Sequence, residues 1–293
     1  MRSLLLAALA LTACSPDPTP PPRPLVVLMT DFGTTDDAVG LVRGAVLAVA
    51  PDAQVLDLTH EVPAYDLEAG ARLLEDAPGV YPEGTVFVAV VDPGVGTPRR
   101  AIVVRLANGR WLVGPDNGVL SLAMARHGVD WVRAIEDRRF LRPEISSTFH
   151  GRDVFAPTAG HLAIGSPPPA DVGPVVEDWI RVEPRPVVLV PGPPPALEAR
   201  VVALDEPFGN VWTDVGPADL ERLGARPERL VFRLGDAGRE VEAPLAGTFG
   251  DVPEGQPLAY WNSRGRLSLA INMGDAAHAF GVERGARVVV RRP

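Results

Sequence analysis

The chain has 293 residues, 46% of them hydrophobic and 22% charged, with a formal net charge of −9. That length supports one large domain or two moderate ones with real cores, and the acidic balance leaves no basic stripe for a nucleic-acid partner. No lysine occurs and the only cysteine is Cys14. These absences exclude a P-loop lysine, Schiff-base and pyridoxal-phosphate chemistry, disulfides and thiolate sites in the folded body.

Residues 1–24 read as a lipoprotein signal and a proline-rich stalk. Arg2 supplies the positive start, Leu4 to Leu11 the apolar run, and Leu11-Thr12-Ala13-Cys14 matches a bacterial lipobox with Cys14 as the lipidation site. The run is too short to span a bilayer. The expectation is an exported lipoprotein anchored through Cys14, on the periplasmic or cell-surface face, touching the membrane through that anchor alone. The other reading is a plain secretory signal.

Residues 25–165 read as an α/β domain. Leu25 to Met29 is an unbroken apolar run, as in a strand covered on both faces. Asp36 and Asp37 open a stretch with Val39, Val42, Val46 and Val49 at helical spacing. Val55 to Leu58 reads as a strand, Leu67 to Leu74 as a helix and Thr85 to Val91 as a strand ending at Asp92. Ile102 to Leu106 and Trp111 to Val113 flank the turn pair Asn108-Gly109. Val119 to Arg126 and Val154 to Ile164 look helical, with Pro157 awkward in the second.

Residues 166–197 are proline-rich and read as a linker. Residues 198–293 then carry short strands at Ala199 to Leu204, Arg229 to Leu234, Val241 to Pro244, Leu258 to Trp261, Leu267 to Ile271 and Arg287 to Val290. Regular short strands separated by turn residues predict a small β-barrel. The fold class expected is α/β: a central, mostly parallel sheet followed by a C-terminal barrel.

Four segments could carry chemistry. In Met29 to Asp37, Asp31 lies just past a buried strand, where open α/β sheets place ligands; it reads equally as a carboxylate for a ribose diol and as a loop acid, with Asp36 a helix cap. In Val91 to Arg100, Asp92 again ends a strand, and Arg99 or Arg100 could return to it or stay solvated. In Thr148 to Asp153, His150 reads as an acid, a base or a water-orienting group, or as a capping-region histidine. In the barrel, Asp205 to Trp212 and Trp261 to Gly265 mix polar and aromatic groups. His60, His127, His161 and His278 lack such company and are taken as structural or surface residues.

Taken in order, T-D-F-G-x-x-D from Thr30, V-D-P-G-V-G-T-x-R from Val91, F-H-G-R-D from Phe149, P-F-G-N-V-W-T from Pro207 and N-S-R-G from Asn262 form one pattern. From about Val26 to Val290 the chain resembles the S-adenosyl-L-methionine (SAM) hydroxide adenosyltransferases, relatives of the fluorinase and chlorinase. The resemblance implies cleavage of SAM to adenosine and L-methionine by water or hydroxide attacking C5′, with no cofactor and no metal. It implies a homotrimer with sites between the α/β domain of one subunit and the barrel of the next. Asp92, Arg99 and His150 match the triad around the attacking water. Asp31 would hold the ribose hydroxyls, and Tyr65 stands where the fluorinase has a pocket-wall tryptophan. Asp36, Asp205, Ser263 and Arg264 match positions at the methionine amine and carboxylate, and Phe208, Asn210, Trp212 and Phe249 fall at the adenine end. Asp92 and the pair His150-Gly151 depart from the halogenating branch, whose halide site a carboxylate here would disfavour. The rival readings are a lipid-anchored nucleoside-binding protein without useful catalysis, a halide-using adenosyltransferase, and a metallohydrolase on Asp31, Asp36, Asp37 and His150.

Overall fold

Apolar side chains alternate between the two faces of the first strand, and both faces are covered. The computed structural model describes residues 23–183, 185–224, 227–235 and 238–293; the leader, Cys14 and most of the proline-rich stalk lie outside them. β1 (Leu25–Thr30) presents Val26 and Leu28 to one core and Val27 and Met29 to another. β3 (Val86–Val90) does the same, with Val86 and Val88 on the first side and Phe87 and Ala89 on the second. A strand sandwiched in this way has no polar face to show, which is why both segments read as continuous hydrophobic runs.

Around them lie β2 (Gln54–Thr59), β4 (Ala101–Leu106), β5 (Trp111–Pro115) and β6 (Val129–Ala134), in the order β2-β1-β3-β5-β4-β6. The β1–β2, β1–β3 and β3–β5 pairs are parallel, and β4 is antiparallel to both its neighbours. The Asn108-Gly109 turn closes β4 onto β5, with Gly109 at φ +83°. One layer of helix holds α1 (Ala38–Val49) and α5 (Ala156–Ile164); the other holds α2 (Leu67–Leu74), α3 (Ala77–Val80) and α4 (Ser121–His127). From β1 the chain steps outward to β2, then crosses back over β1 to β3. The crevice between β1 and β3 at their carboxyl ends is therefore the switch point of the sheet, the usual ligand position in open α/β folds.

The stretch expected to be linker is built into both sheets. Backbone bonds from Ala134 N–H to Pro174 O (2.9 Å) and from Val176 N–H to Val132 O (2.9 Å) lay residues 174–176 along β6. Further on, β7 (Val188–Val190) pairs with β8 (Ala196–Asp205). Proline cannot donate to a ladder, but at a sheet edge its missing N–H costs nothing.

The second sheet adds β9 (Asn210–Thr213), β10 (Arg229–Leu234), β11 (Arg239–Pro244), β12 (Pro257–Trp261), β13 (Leu267–Ile271) and β14 (Arg287–Arg291). Its order is β11-β10-β14-β8-β9-β13-β12, antiparallel throughout. The long β8 pairs with β14 through its first half and β9 through its second, so one strand bends the sheet round. A bridge from Leu245 to Ala259 brings the two ends together, which makes the sheet a nearly closed barrel around Leu197, Val211, Phe232, Leu269 and Val288. Two short helices, α6 (Pro217–Glu221) and α7 (Ala276–Phe280), complete it. Among the described residues no helix is long and apolar enough to cross a membrane.

Candidate active site

Asp31 directly follows β1 and Asp92 comes two residues after β3, so adjacent parallel strands deliver two carboxylates to the same edge. The chain then reverses through two tight turns, Val95 N–H to Asp92 O (3.2 Å) and Thr97 N–H to Gly94 O (3.1 Å). Gly96 sits at φ +77° against the Ser147 carbonyl, where a Cβ would collide, so the two loops close on each other only with glycine there. This reversal returns Arg99 to Asp92. The guanidinium donates from Nε to Oδ1 (3.0 Å) and from Nη2 to Oδ2 (2.5 Å), a bidentate pair with both side chains nearly buried.

Arg100 goes elsewhere. It donates to Asp116 Oδ2 (2.8 Å), Asp178 Oδ1 (2.7 Å) and the Asp178 carbonyl (2.9 Å). Neighbouring residues entering a strand point to opposite sides, and β4 begins directly after the pair. The alternative left open by the sequence thus resolves to Arg99 at Asp92.

His150 arrives from the other side of the crevice. A single wide π-helical turn, Gly151–Phe155, joins it to α5. Pro157 has no N–H for the Asp153 carbonyl four residues back, which widens the turn, and Arg142 N–H takes that carbonyl instead (3.0 Å). The Asp153 side chain, fully buried, accepts from Arg152 Nε (2.7 Å) and Ser146 N–H (2.9 Å) and so ties down the loop that ends at His150. Burial pushes its pKa up, but these bonds outweigh burial and hold the carboxyl below its ordinary range.

The imidazole Nδ1 of His150 lies 2.8 Å from Arg99 Nη2. A guanidinium only donates, so Nδ1 accepts, and the neutral ring carries its hydrogen on Nε2. Burial pushes the His150 pKa below the ordinary histidine value and the Arg99 charge pushes the same way, against the pull of Asp92 and Asp153. Arg99 therefore holds a carboxylate and a neutral imidazole at once. Its guanidinium also lies over the Phe155 ring, 5.3 Å from the centroid.

Asp92 and His150, with Arg99 behind them, face a recess of about 250 Å³ that Asp31, Phe32, Tyr65, Phe149 and Gly151 also line. Phe32 and Phe149 meet edge to face at 6.0 Å and form its apolar wall. Tyr65, at φ +64° and 72% exposed, donates its backbone N–H to Asp31 Oδ2 (3.0 Å). Asp36 stays out of the recess; its carboxylate accepts from Ala38 N–H (3.0 Å) at the start of α1. Among the described residues no three His, Cys, Asp or Glu side chains gather as a metal-binding group, so Asp31, Asp36, Asp37 and His150 do not form one.

The barrel candidates fall on two further surfaces. Asp205, Phe208, Asn210 and Phe249 line a recess of about 670 Å³ together with Met273 and Asp275. Asn210 donates to Asp205 Oδ2 (2.9 Å), and Phe249 meets Tyr260 at 5.0 Å with the rings tilted by 52°. Trp212, two residues further along β9, instead lines a cleft with Arg264 between the barrel and α2. There Arg264 bonds the Arg72 carbonyl, lies 3.5 Å from Asp76 and sits 5.8 Å over Trp212. Ser263 is exposed at the turn beside it. The first recess shares no lining residue with the other two. Sequence reasoning missed Met273 and Asp275, although Asn272 to Asp275 is a turn signal. It also missed Asn117, whose Nδ2 pins the Val91 carbonyl just before Asp92 (2.8 Å).

Comparisons with known proteins agree across this layout. The model of the SAM hydroxide adenosyltransferase N-terminal domain matches residues 26–173, and that of the C-terminal domain matches residues 199–289. The chain is 41% identical to the (R)-S-adenosyl-L-methionine hydrolase of Thermus thermophilus, over 90% of this chain and 98% of the relative. It is 40% identical to the hydrolase of the same name from Salinispora tropica, with 92% and 98% covered. A fluorinase from Actinopolyspora mzabensis is 32% identical over the same shares. Among solved structures, an uncharacterized conserved protein from Thermotoga maritima superposes with TM-score 0.82 at 34% identity, covering 91% of this chain and all of that one. With both halves matched in order, the chain belongs to the SAM hydroxide adenosyltransferase family.

Proposed function

We propose that this chain hydrolyses SAM to adenosine and L-methionine, with Asp92, Arg99 and His150 around the attacking water. The observation that carries the reading is the three-way contact in which Arg99 bonds Asp92 and His150 together at the switch point of the sheet. The water oxygen forms a bond to C5′ as the C5′–S bond breaks, and its electron pair neutralises the sulfonium. The leaving group is already good, so positioning is the main demand, and well-oriented reactants can gain roughly 7–11 kcal/mol. With its hydrogen on Nε2, His150 donates to the water oxygen and orients it. The released proton then passes to Asp92, the remaining acceptor in the triad. The reaction so written uses no cofactor or metal.

Asp31 holds the ribose hydroxyls and Tyr65 walls the recess, while Phe208, Asn210 and Phe249 in the barrel recess take the adenine, with Trp212 behind them on β9 and Asp205 in the same recess turned toward the methionine. A recess of about 250 Å³ is small against the ~300–1,000 Å³ of ordinary ligand sites. We read this as one half of a site, completed in a homotrimer by the barrel of the neighbouring subunit. Ser263 and Arg264 serve the amino-acid end there, with Asp36 toward the amine, once the neighbour is in place.

Purified protein incubated with SAM is expected to yield adenosine and methionine by chromatography, unchanged by added chloride. Asp92→Ala and His150→Ala are each expected to cost at least about 100-fold in rate while leaving the fold intact by circular dichroism. Wild-type turnover equal to the buffer blank, with adenosine still bound in calorimetry, would leave a nucleoside-binding protein instead.

The leader adds a location to the proposal: export and anchoring through a lipid on Cys14, with the substrate taken outside the cytoplasm. Wild-type protein is expected to incorporate labelled fatty acid and Cys14→Ser is not; equal labelling of both sinks the anchor.

A further inference from the structure

We propose that His60 is a positioning residue for the ribose end of this site, acting through Thr30 on the loop that carries Asp31; the inference rests on the function proposed above. The β1–β2 register runs Leu28 opposite Asp57 and then Met29 opposite Thr59, skipping Leu58. That one-residue irregularity draws the end of β2 back by a residue and brings His60 level with Thr30, the last residue of β1. Irregularities of this kind re-aim side chains beside functional sites.

The contacts that follow have one direction. His60 Nε2 lies 3.0 Å from Asp57 Oδ1, out of hydrogen-bond alignment but close enough for that carboxylate to favour a hydrogen on this nitrogen. Nδ1 is then the acceptor for the Thr30 hydroxyl (2.8 Å), whose oxygen in turn accepts from Phe32 N–H (3.2 Å). The His60 carbonyl accepts from Gly33 N–H (2.8 Å). Both residues that follow Asp31 are thereby fixed by one histidine, directly or through Thr30. At the far end Arg43 holds Asp57, donating from Nε (3.3 Å) and bonding its second oxygen as well. Burial raises the Asp57 pKa, but His60 and Arg43 outweigh it and keep the group below its ordinary range.

His60 and Thr30 are 4% and 1% exposed, so water cannot replace either partner. A histidine with a purely structural role satisfies itself on a carbonyl, as the partly buried His127 does on Glu75 (2.9 Å). His60 instead spans from a surface ion pair to the backbone on which Asp31 is mounted, while Asp31 accepts from Tyr65 N–H further along the loop that His60 begins. Removing its side chain breaks the tie through Thr30 and leaves residue 60 only the backbone bond from Gly33, without touching Asp31, Asp92 or His150.

The test is a double-mutant cycle read by calorimetry with adenosine on the full chain, using wild type, His60→Ala, Asp31→Ala and the double variant. Removing His60 is expected to weaken adenosine binding about tenfold when Asp31 is present, and less than about twofold when Asp31 is already alanine. His60→Asn, whose side-chain oxygen can still accept from Thr30, is expected to restore most of the affinity, and Thr30→Val to reproduce the loss. Thr30→Val also serves in the cycle should His60→Ala fail to fold. A merely structural role would lower thermal stability in every background yet leave the folded protein's affinity unchanged. Equal losses in both Asp31 backgrounds, or no loss at all, overturn the inference while the proposed function stands. Wild-type protein that neither binds adenosine nor hydrolyses SAM overturns both.

Discussion

Arg99 decides how the triad can work, because it has hydrogens to give and no lone pair to offer. Its bond to His150 Nδ1 fixes the tautomer and requires a neutral ring, since a second hydrogen on Nδ1 would point at a guanidinium. Burial and the Arg99 charge already place the His150 pKa below the ordinary 6.5. The sign follows directly: the working form is deprotonated, so kcat/KM is full at neutral pH and falls as pH drops through that lowered pKa. A pH–rate profile is expected to show an acid limb below 6.5, and His150→Gln to move the limb down into the carboxylate range at reduced rate. A rate that instead falls as pH rises through that pKa would mean that the protonated ring is the active form. Stability follows the same linkage. The unfolded chain binds this proton more readily than the folded one, so His150 contributes stability that is lost as pH falls from 6.5 toward its folded value.

At the level of elements, the site depends on α5 being held in place, because the π-helical turn that ends at Phe155 connects it to His150. α5 packs on α1 through Gly160, where a Cβ would lie 2.9 Å from the Val49 Cβ and 3.1 Å from the Val46 carbonyl. Gly160→Val is expected to lose about 1–3 kcal/mol by overpacking, at roughly 2–4 °C in Tm per kcal/mol for a protein of this size. An unchanged Tm in a thermal melt would show that the helices part without cost. These same elements mark how far the sequence could be read. β1, β3 and α2 were legible because burial on two faces, or on one helical stripe, writes itself into apolar spacing. β6 was not, because Asp130 and Arg133 interrupt a strand whose inward side is carried by Val132 and Ala134 alone. The helix expected from Val154 begins at Ala156, after a wide turn that Pro157 signals but does not specify. The acids at the strand ends were visible as positions on a sheet edge. Which arginine turns back to Asp92 was not, since Arg99 and Arg100 differ only in where β4 sends them.

For the whole molecule, the proposed homotrimer would draw each site from two copies of the chain. The first carries the triad and Asp31 on the α/β sheet; the second carries Asn210, Phe208 and Phe249 on the barrel, and the two share no lining residue. A substrate that joins an adenosine to an amino acid has to bring both sets to one place. If each site pairs the sheet edge of one subunit with the barrel of the next, Asp92→Ala and Asn210→Ala damage opposite halves of it. Each variant alone is expected to be nearly inactive, and neither can repair its own sites. In mixed trimers assembled from equal amounts, a site is whole when an Asn210→Ala subunit supplies its sheet edge and an Asp92→Ala subunit its barrel. Each condition holds half the time, so refolding the two together is expected to recover about a quarter of wild-type activity. A site contained within one chain recovers nothing on mixing, because every copy then carries its own defect. Activity that stays at the sum of the separate variants, in material shown to be mixed by mass, would return both halves of the site to a single subunit.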